Sequence, residues 1–214
     1  MKFYDQTIKK FIGDLESDLP APGGGSVAGL VAALSGALNS MVYSLTVGKK
    51  SYLALDDKTQ NMIKDFQGKS LEFSKRGLEL MDEDRENFLK LMESYKMPKE
   101  TEEDKIKRKK SIHDNSIKSM EAPLALAREC MKFYENLSVM AQFGNKMLLS
   151  DLGISAILLH SAIESSIVNV KVNLNGLKNE EFFEEYNEEL RNILEISIKE
   201  KNRIMEIVTD VIYS

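Results

Sequence analysis

Asp84 occupies a position where the surrounding pattern calls for an apolar residue. From Phe73 the chain repeats Phe73, Gly77, Leu80, Asp84, Phe88, Leu91 and Tyr95 at spacings of four and three, the mark of a helix face turned towards a core. A carboxylate there is unfavourable unless paired, and loss of water raises its pKa towards the range useful for proton transfer. A structural ion pair or a cap to a neighbouring helix fits the same spacing. The adjacent Asp82, Glu83 and Glu86 fall mostly off that face, where solvent is expected. Together they could attract Mg²⁺, but no second acidic cluster of matching pattern accompanies them, and no metal site is expected.

Four other groups have chemistry within reach. Gly23, Gly24 and Gly25, followed by Ser26, precede a long uncharged segment. Glycines ahead of a helix expose backbone N–H groups that can hold a carboxylate, a phosphate or a polar heterocycle, or they simply form a tight turn. The loose dinucleotide-type spacing of Gly23, Gly25 and Gly29 fails its context, because a helix and two prolines precede it instead of a strand. Lys49 and Lys50 follow the C-terminal end of the same segment, where they either complement the helix dipole or contact an anion. Asn169 and Asn173, with Ser166, share one helical face; their amides suit a heterocycle with mixed donors and acceptors, or hydrogen bonds between helices. Asp151 reads as an N-terminal helix charge, and His160 with Glu164 as a surface pair.

The elements that must position these residues are helices. Phe11, Leu15 and Leu19 repeat at four in a first helix over about residues 3–18, which Pro20 and Pro22 stop. A small-residue helix follows over 26–47. Further helices are expected from Lys58 to Tyr95, from the charged stretch 100–110 through Pro123 with a kink there, from Ser150 or Asp151 to Asn175, and from Glu180 to Tyr213. Gly144 and Asn145 mark a break. Strand signals are nearly absent, and no linker divides the chain, so it reads as one all-α domain, a bundle of long antiparallel helices. Helices this long leave apolar stripes that a homodimer or larger homo-oligomer would cover.

Bulk properties narrow the function classes. The 214 residues include 43% apolar and 29% charged residues, an ordinary globular balance. A net charge of -5 gives no electrostatic reason for nucleic acid as the partner, and the basic run Lys105 to Lys110 is balanced by the acidic residues before it. One cysteine, Cys130, and two histidines provide neither a disulfide nor a common zinc site, which fits a reducing, cytoplasmic setting. The uncharged run from Leu19 to Gly48 is long enough to cross a bilayer. Its Ser, Asn, Thr, Ala and Gly content favours close helix packing instead, so a central buried helix and no membrane span are expected.

These segments also match a known pattern. The stretch from Pro20 through the triple glycine to Lys49, Lys50, Ser51 and Tyr52 resembles the cyclodeaminase/cyclohydrolase family. Asp82-Glu-Asp with Phe88, Met97-Pro98-Lys99, Ala122-Pro-Leu, Gly144-Asn145, Ser150-Asp151-Leu-Gly153 and Asn169-Val-Lys-Val-Asn173 follow in the same order, over about residues 5–185. The resemblance implies a single cyclodeaminase/cyclohydrolase-like helical domain over 1–214 that binds tetrahydrofolate derivatives, with no resident cofactor and with dimers or larger assemblies. It implies Asp84, Lys49 and Lys50 as catalytic residues. It implies Gly23, Gly24, Gly25, Ser26, Tyr52, Asn145, Asp151, Asn169 and Asn173 as substrate contacts. Asp84 would act as general acid/base, Asp151 and the asparagines would read the pterin, and the lysines would meet glutamate carboxylates or developing charge. Met147 departs from the pattern, which tends to carry a second asparagine there. A formiminotransferase portion is outside the matched segment, so transfer between two sites of one chain is not expected. The competing reading is a non-catalytic helical scaffold or folate-binding module.

Overall fold

A computed structural model describes residues 2–212. Seven α-helices follow one another: α1 (Ile8–Leu15), α2 (Gly24–Ser44), α3 (Lys50–Leu53), α4 (Asp57–Tyr95), α5 (Glu102–Phe143), α6 (Leu149–Leu174) and α7 (Phe183–Ile212). Short 3-10 turns stand at Phe3–Asp5, Lys146–Leu148 and Asn175–Leu177, and no strand occurs among the described residues. The fold is all-α, as the periodicity implies.

Local chemistry sets the boundaries. Asp56 caps α4 by accepting from the Thr59 N–H at 2.9 Å. Thr101 and Asp104 form a reciprocal capping box at the start of α5. Helix α5 then runs through Pro123. The expected first helix is instead a 3-10 turn followed by the shorter α1, which Thr7 caps through the Lys10 N–H. Phe11 is buried, but Leu19 lies beyond the end of α1 and is exposed, so the stripe expected there stops early. The small-residue helix spans Gly24–Ser44, and a turn and the four-residue α3 separate it from α4. At the other end of α4, Tyr95 is exposed, while its neighbour Ser94 is buried against Ser111 of α5. Tyr213 lies outside the described residues.

Helix α2 packs among α4, α5 and α6, and α7 covers the far side of α6. Helices α2 and α6 are each long and apolar enough to cross a membrane by length and composition. Inside the bundle they carry polar residues that bond to each other. Ser35 Oγ donates to the Ser155 carbonyl at 2.8 Å, and Ser155 Oγ donates to the Ser35 carbonyl at 2.8 Å. Asn39 Nδ2 donates to Ser70 Oγ on α4 at 3.0 Å, and Asn136 Nδ2 on α5 donates to the same hydroxyl at 3.1 Å. Buried groups so paired fix the rotation of each helix against its neighbours.

Candidate active site

Helices α2 and α4 cross at glycines. A Cβ on Gly29 would stand 2.9 Å from the Gly77 carbonyl oxygen, and one on Gly77 would stand 2.9 Å from the Ala33 nitrogen. A Cβ on Gly36 would meet the Phe73 ring at 2.9 Å. No side chain fits at these contacts, so the two backbones come close. The helices run antiparallel in a constant register: Asn39 beside Ser70, Gly36 beside Phe73, Gly29 beside Gly77 and Met81. Continuing that register one more turn brings Asp84 to Gly25, where a Cβ would overlap both carboxylate oxygens. The glycine is what allows the carboxylate to lie against the start of α2.

The space beside them is a cavity of about 170 Å³. Gly23, Gly24, Gly25 and Ser26 line it from the N-terminus of α2, Asp84, Arg85 and Phe88 from α4, and Asn169, Val172 and Asn173 from α6. Pro20 and Ala21 and Ser119 of α5 complete its lining. Burial pushes the Asp84 carboxyl up from the usual carboxylate range to about 6. The first-turn N–H groups of α2 point out of the helix end into this space, a favourable surroundings for negative charge. Asn169 Nδ2 donates to the Ser165 carbonyl at 2.9 Å, and Asn173 Nδ2 donates to the Asn169 carbonyl at 3.1 Å. Those bonds lock the amides and leave their carbonyl oxygens as acceptors for a donor-bearing ring.

The site residues read from the sequence thus divide. Asp84, Gly23, Gly24, Gly25, Ser26, Asn169 and Asn173 come together. Lys49, Lys50, Tyr52, Asn145 and Asp151 do not reach this cavity within one chain; they gather at the opposite end of α2, about 30 Å away at the helical rise. There Lys49 and Lys50 are exposed around the start of α3. Asp151 is partly buried in the first turn of α6. Tyr52 is buried, its hydroxyl donating to the Gln60 carbonyl at 3.2 Å, so its own chain uses it as core. Asn145 Oδ1 accepts from the Met147 N–H at 3.1 Å, and the Asn145 N–H donates to Thr46 Oγ1 at 3.0 Å. Met147 itself is 88% exposed.

Two neighbouring expectations are corrected. Asp82 is buried and accepts from the Phe3 N–H at 3.0 Å, because the N-terminal segment folds over that side of α4 and removes it from water. His160 is not simply a surface partner of Glu164: its Nδ1 is 2.8 Å from Ser197 Oγ, and α7 covers it. Arg85, Ser119 and Val172 escaped the sequence reading as pocket residues. Arg85 is signalled only by its place next to Asp84, and Ser119 and Val172 enter through helix packing alone.

A family model for formiminotransferase-cyclodeaminase matches residues 7–192. The chain belongs to that family. It is 32% identical to a methenyltetrahydrofolate cyclohydrolase of Methylorubrum extorquens over 204 residues, covering 95% of this chain and 96% of that relative. It is 30% identical to the formimidoyltransferase-cyclodeaminase of Mus musculus over 191 residues, 89% of this chain but 35% of the mouse protein. A solved structure of formiminotetrahydrofolate cyclodeaminase from Thermotoga maritima superposes with a TM-score of 0.77 at 25% identity, covering 98% of this chain and 97% of the other. This member of the family therefore spans about a third of the length of the mouse relative and nearly all of the two stand-alone proteins.

Proposed function

We propose that this protein is an enzyme of one-carbon folate chemistry that works at the bridge between N5 and N10 of tetrahydrofolate. Its reactions are the cyclodeamination of 5-formiminotetrahydrofolate and the hydrolysis of 5,10-methenyltetrahydrofolate. In the first, N10 attacks the formimino carbon on N5, the carbon becomes tetrahedral, and ammonia departs to leave the methenyl bridge. In the second, water adds to the methenyl carbon and the C–N5 bond opens to give 10-formyltetrahydrofolate. The first is a lyase reaction and the second a hydrolase reaction, and they share a tetrahedral carbon between two nitrogens.

The observation that carries this reading is the Asp84 carboxyl, held against Gly25 in a partly dry pocket with its pKa raised to about 6. A group titrating there is present in both protonation states near neutral pH, so it can hand a proton to departing ammonia or take one from attacking water. The amide oxygens of Asn169 and Asn173 suit the N–H edge of a pterin, and the α2 amides suit its carbonyl or a developing negative charge. Both reactions need positioning and proton transfer alone, which supports an enzyme without a resident cofactor. Lys49 and Lys50 carry the charge that glutamate carboxylates of the folate tail would seek, including those of a polyglutamate. A homo-oligomer in the cytoplasm, with Cys130 reduced and buried, completes the reading.

Ultraviolet absorbance tests it. Methenyltetrahydrofolate has a near-ultraviolet band of its own, so adding the protein to 5-formiminotetrahydrofolate should make that band grow, and adding it to methenyltetrahydrofolate should accelerate its decay. A folded protein that changes neither rate is a scaffold or a carrier, and the enzymatic reading fails.

A further inference from the structure

We propose that the N-terminal turn tunes the candidate site: Phe3, clasped by Asp82 and Phe11, holds the Arg85 guanidinium at the rim of the cavity and off the Asp84 carboxyl, and so sets which of the two proposed reactions is favoured. Phe3 and Arg85 are positioning residues in this scheme. The effect on the balance of reactions rests on the folate reading above; the hold on Arg85 does not.

The clasp is built from three contacts. The Phe3 N–H donates to Asp82 Oδ1 at 3.0 Å, across 79 residues of chain. The Phe3 ring meets the Phe11 ring edge-on, with centres 5.7 Å apart and planes at 80°. Both rings are buried, in a small apolar cluster with Met81 that is separate from the main core. A ring packed in this way keeps one orientation. The Arg85 guanidinium carbon lies over its face, 4.6 Å from the ring centre. A cation is drawn to the negative face of a phenyl ring, and more so where water is partly excluded, as around the half-buried Arg85.

The same arginine lines the cavity beside Asp84. Neighbouring side chains leave a helix about 100° apart, so Asp84 turns to Gly25 while Arg85 turns to Phe3. An arginine is long and flexible enough to fold back over the wall the two residues share. The ring is what stops it. Among the residues lining the cavity, α2, α5, α6 and the segment before α2 bring no charged or titratable group, so Arg85 is the charge on the wall that could reach Asp84. On α4, Glu83 is exposed and paired with Arg76, and Glu86 is exposed; Lys2 and Asp5 of the turn are exposed as well. With Arg85 parked on Phe3, burial alone raises the Asp84 carboxyl, to about 6. An arginine swung into the cavity would favour the carboxylate and draw that value back towards the ordinary range.

The consequence differs for the two reactions, because deamination needs the proton on Asp84 and hydrolysis needs it off. At pH 7, a fall from about 6 to about 5 cuts the protonated fraction about nine-fold and leaves the ionised fraction nearly unchanged. The turn therefore protects deamination and leaves hydrolysis alone.

Carbon-13 NMR of the chain labelled at its aspartate carboxyls reads the clasp directly. The Asp84 signal is the one missing in Asp84→Asn, and its titration midpoint in wild type should be about 6. Phe3→Leu keeps the apolar bulk without the π face and should lower the midpoint to about 5, as should Phe3→Ala. Arg85→Met alone should leave it at about 6, and Phe3→Leu combined with Arg85→Met should return it there. Circular dichroism checks the fold of each variant. At pH 7, Phe3→Leu should deaminate 5-formiminotetrahydrofolate about nine-fold more slowly, and hydrolyse methenyltetrahydrofolate within about two-fold of wild type. A wild-type midpoint at the ordinary carboxylate value, an unmoved midpoint in folded Phe3→Leu, or a double variant that stays low overturns the hold on Arg85. So does loss of fold in both Phe3 variants, which would make the ring part of the frame alone. An equal loss of both activities overturns the effect on their balance. A wild type that turns over neither compound defeats the functional reading, and the midpoints then judge the hold by themselves.

Discussion

Asp82 and Asp84 are the same residue type, two positions apart on α4, and both are withdrawn from bulk water, yet they face different surroundings. Asp82 points to the side covered by the N-terminal turn and accepts from the Phe3 N–H at 3.0 Å, with the Arg85 guanidinium resting 4.6 Å from the Phe3 ring centre. Asp84 points to α2, where the missing side chain of Gly25 leaves room for its carboxylate at the edge of a cavity. A buried carboxylate that accepts a backbone N–H has its place in the frame. One that faces open space keeps its proton longer and remains free to give it to something else. Burial does not tell the two apart; what stands opposite the carboxylate does.

The comparison can be broken at Asp84 first. Asp84→Asn keeps the shape and removes the titration, so kcat should fall by about 10²-fold or more while folate binding stays measurable by fluorescence or calorimetry. Near-normal turnover would take Asp84 out of the mechanism. Gly25→Ala is the next largest: its methyl needs the space of the carboxylate, and displacement of that group by even about 1 Å should lower kcat by 10-fold or more in a protein that still folds. If Gly25→Ala is fully active, the close approach has no part in the chemistry.

The pH profile sharpens the contrast further. A group titrating at about 6 should appear in kcat/KM and vanish in Asp84→Asn. Deamination uses the protonated carboxyl and should decline as pH rises through 6; hydrolysis uses the carboxylate and should rise over the same range. Stability has its own sign. Because the folded-state pKa lies above the ordinary carboxylate value, the folded protein binds that proton more tightly than the unfolded chain. Stability therefore falls as pH rises from about 4 to beyond 6. Asp84→Asn should consequently melt higher than wild type at pH 8 and lose that advantage at pH 4, with a ceiling of about 3 kcal/mol that partial solvation reduces. A variant less stable than wild type at pH 8 would mean that Asp84 belongs to the frame after all.

Asp82→Asn completes the set with the opposite pattern. It alters the buried acceptor of the Phe3 N–H, so unfolding should become easier by about 1.5 kcal/mol, a drop in Tm of about 3–6 °C, while kcat changes by less than about 3-fold. A large loss of turnover with unchanged Tm would reverse the roles of the two carboxylates.

The sequence by itself determined the all-helical class, the breaks at Met97 and Gly144, and the oddity of Asp84, because these follow from periodicity and backbone restrictions that act over a few residues. It also grouped the glycine loop, Asp84 and the asparagines through family resemblance. It could not separate Asp82 from Asp84 correctly, since the cover over Asp82 comes from a segment 79 residues away. It set Lys49 at the far end of the small-residue helix from the glycine loop, but it could not show that Asn145 and Asp151 gather there, away from Asp84. Which residues meet across helices depends on how closely their axes approach and on their relative rotation. Here those are set by Gly29, Gly36 and Gly77 at the α2–α4 crossing and by the paired serines between α2 and α6. Such contacts join residues distant in the chain, and only the packed bundle brings them into register.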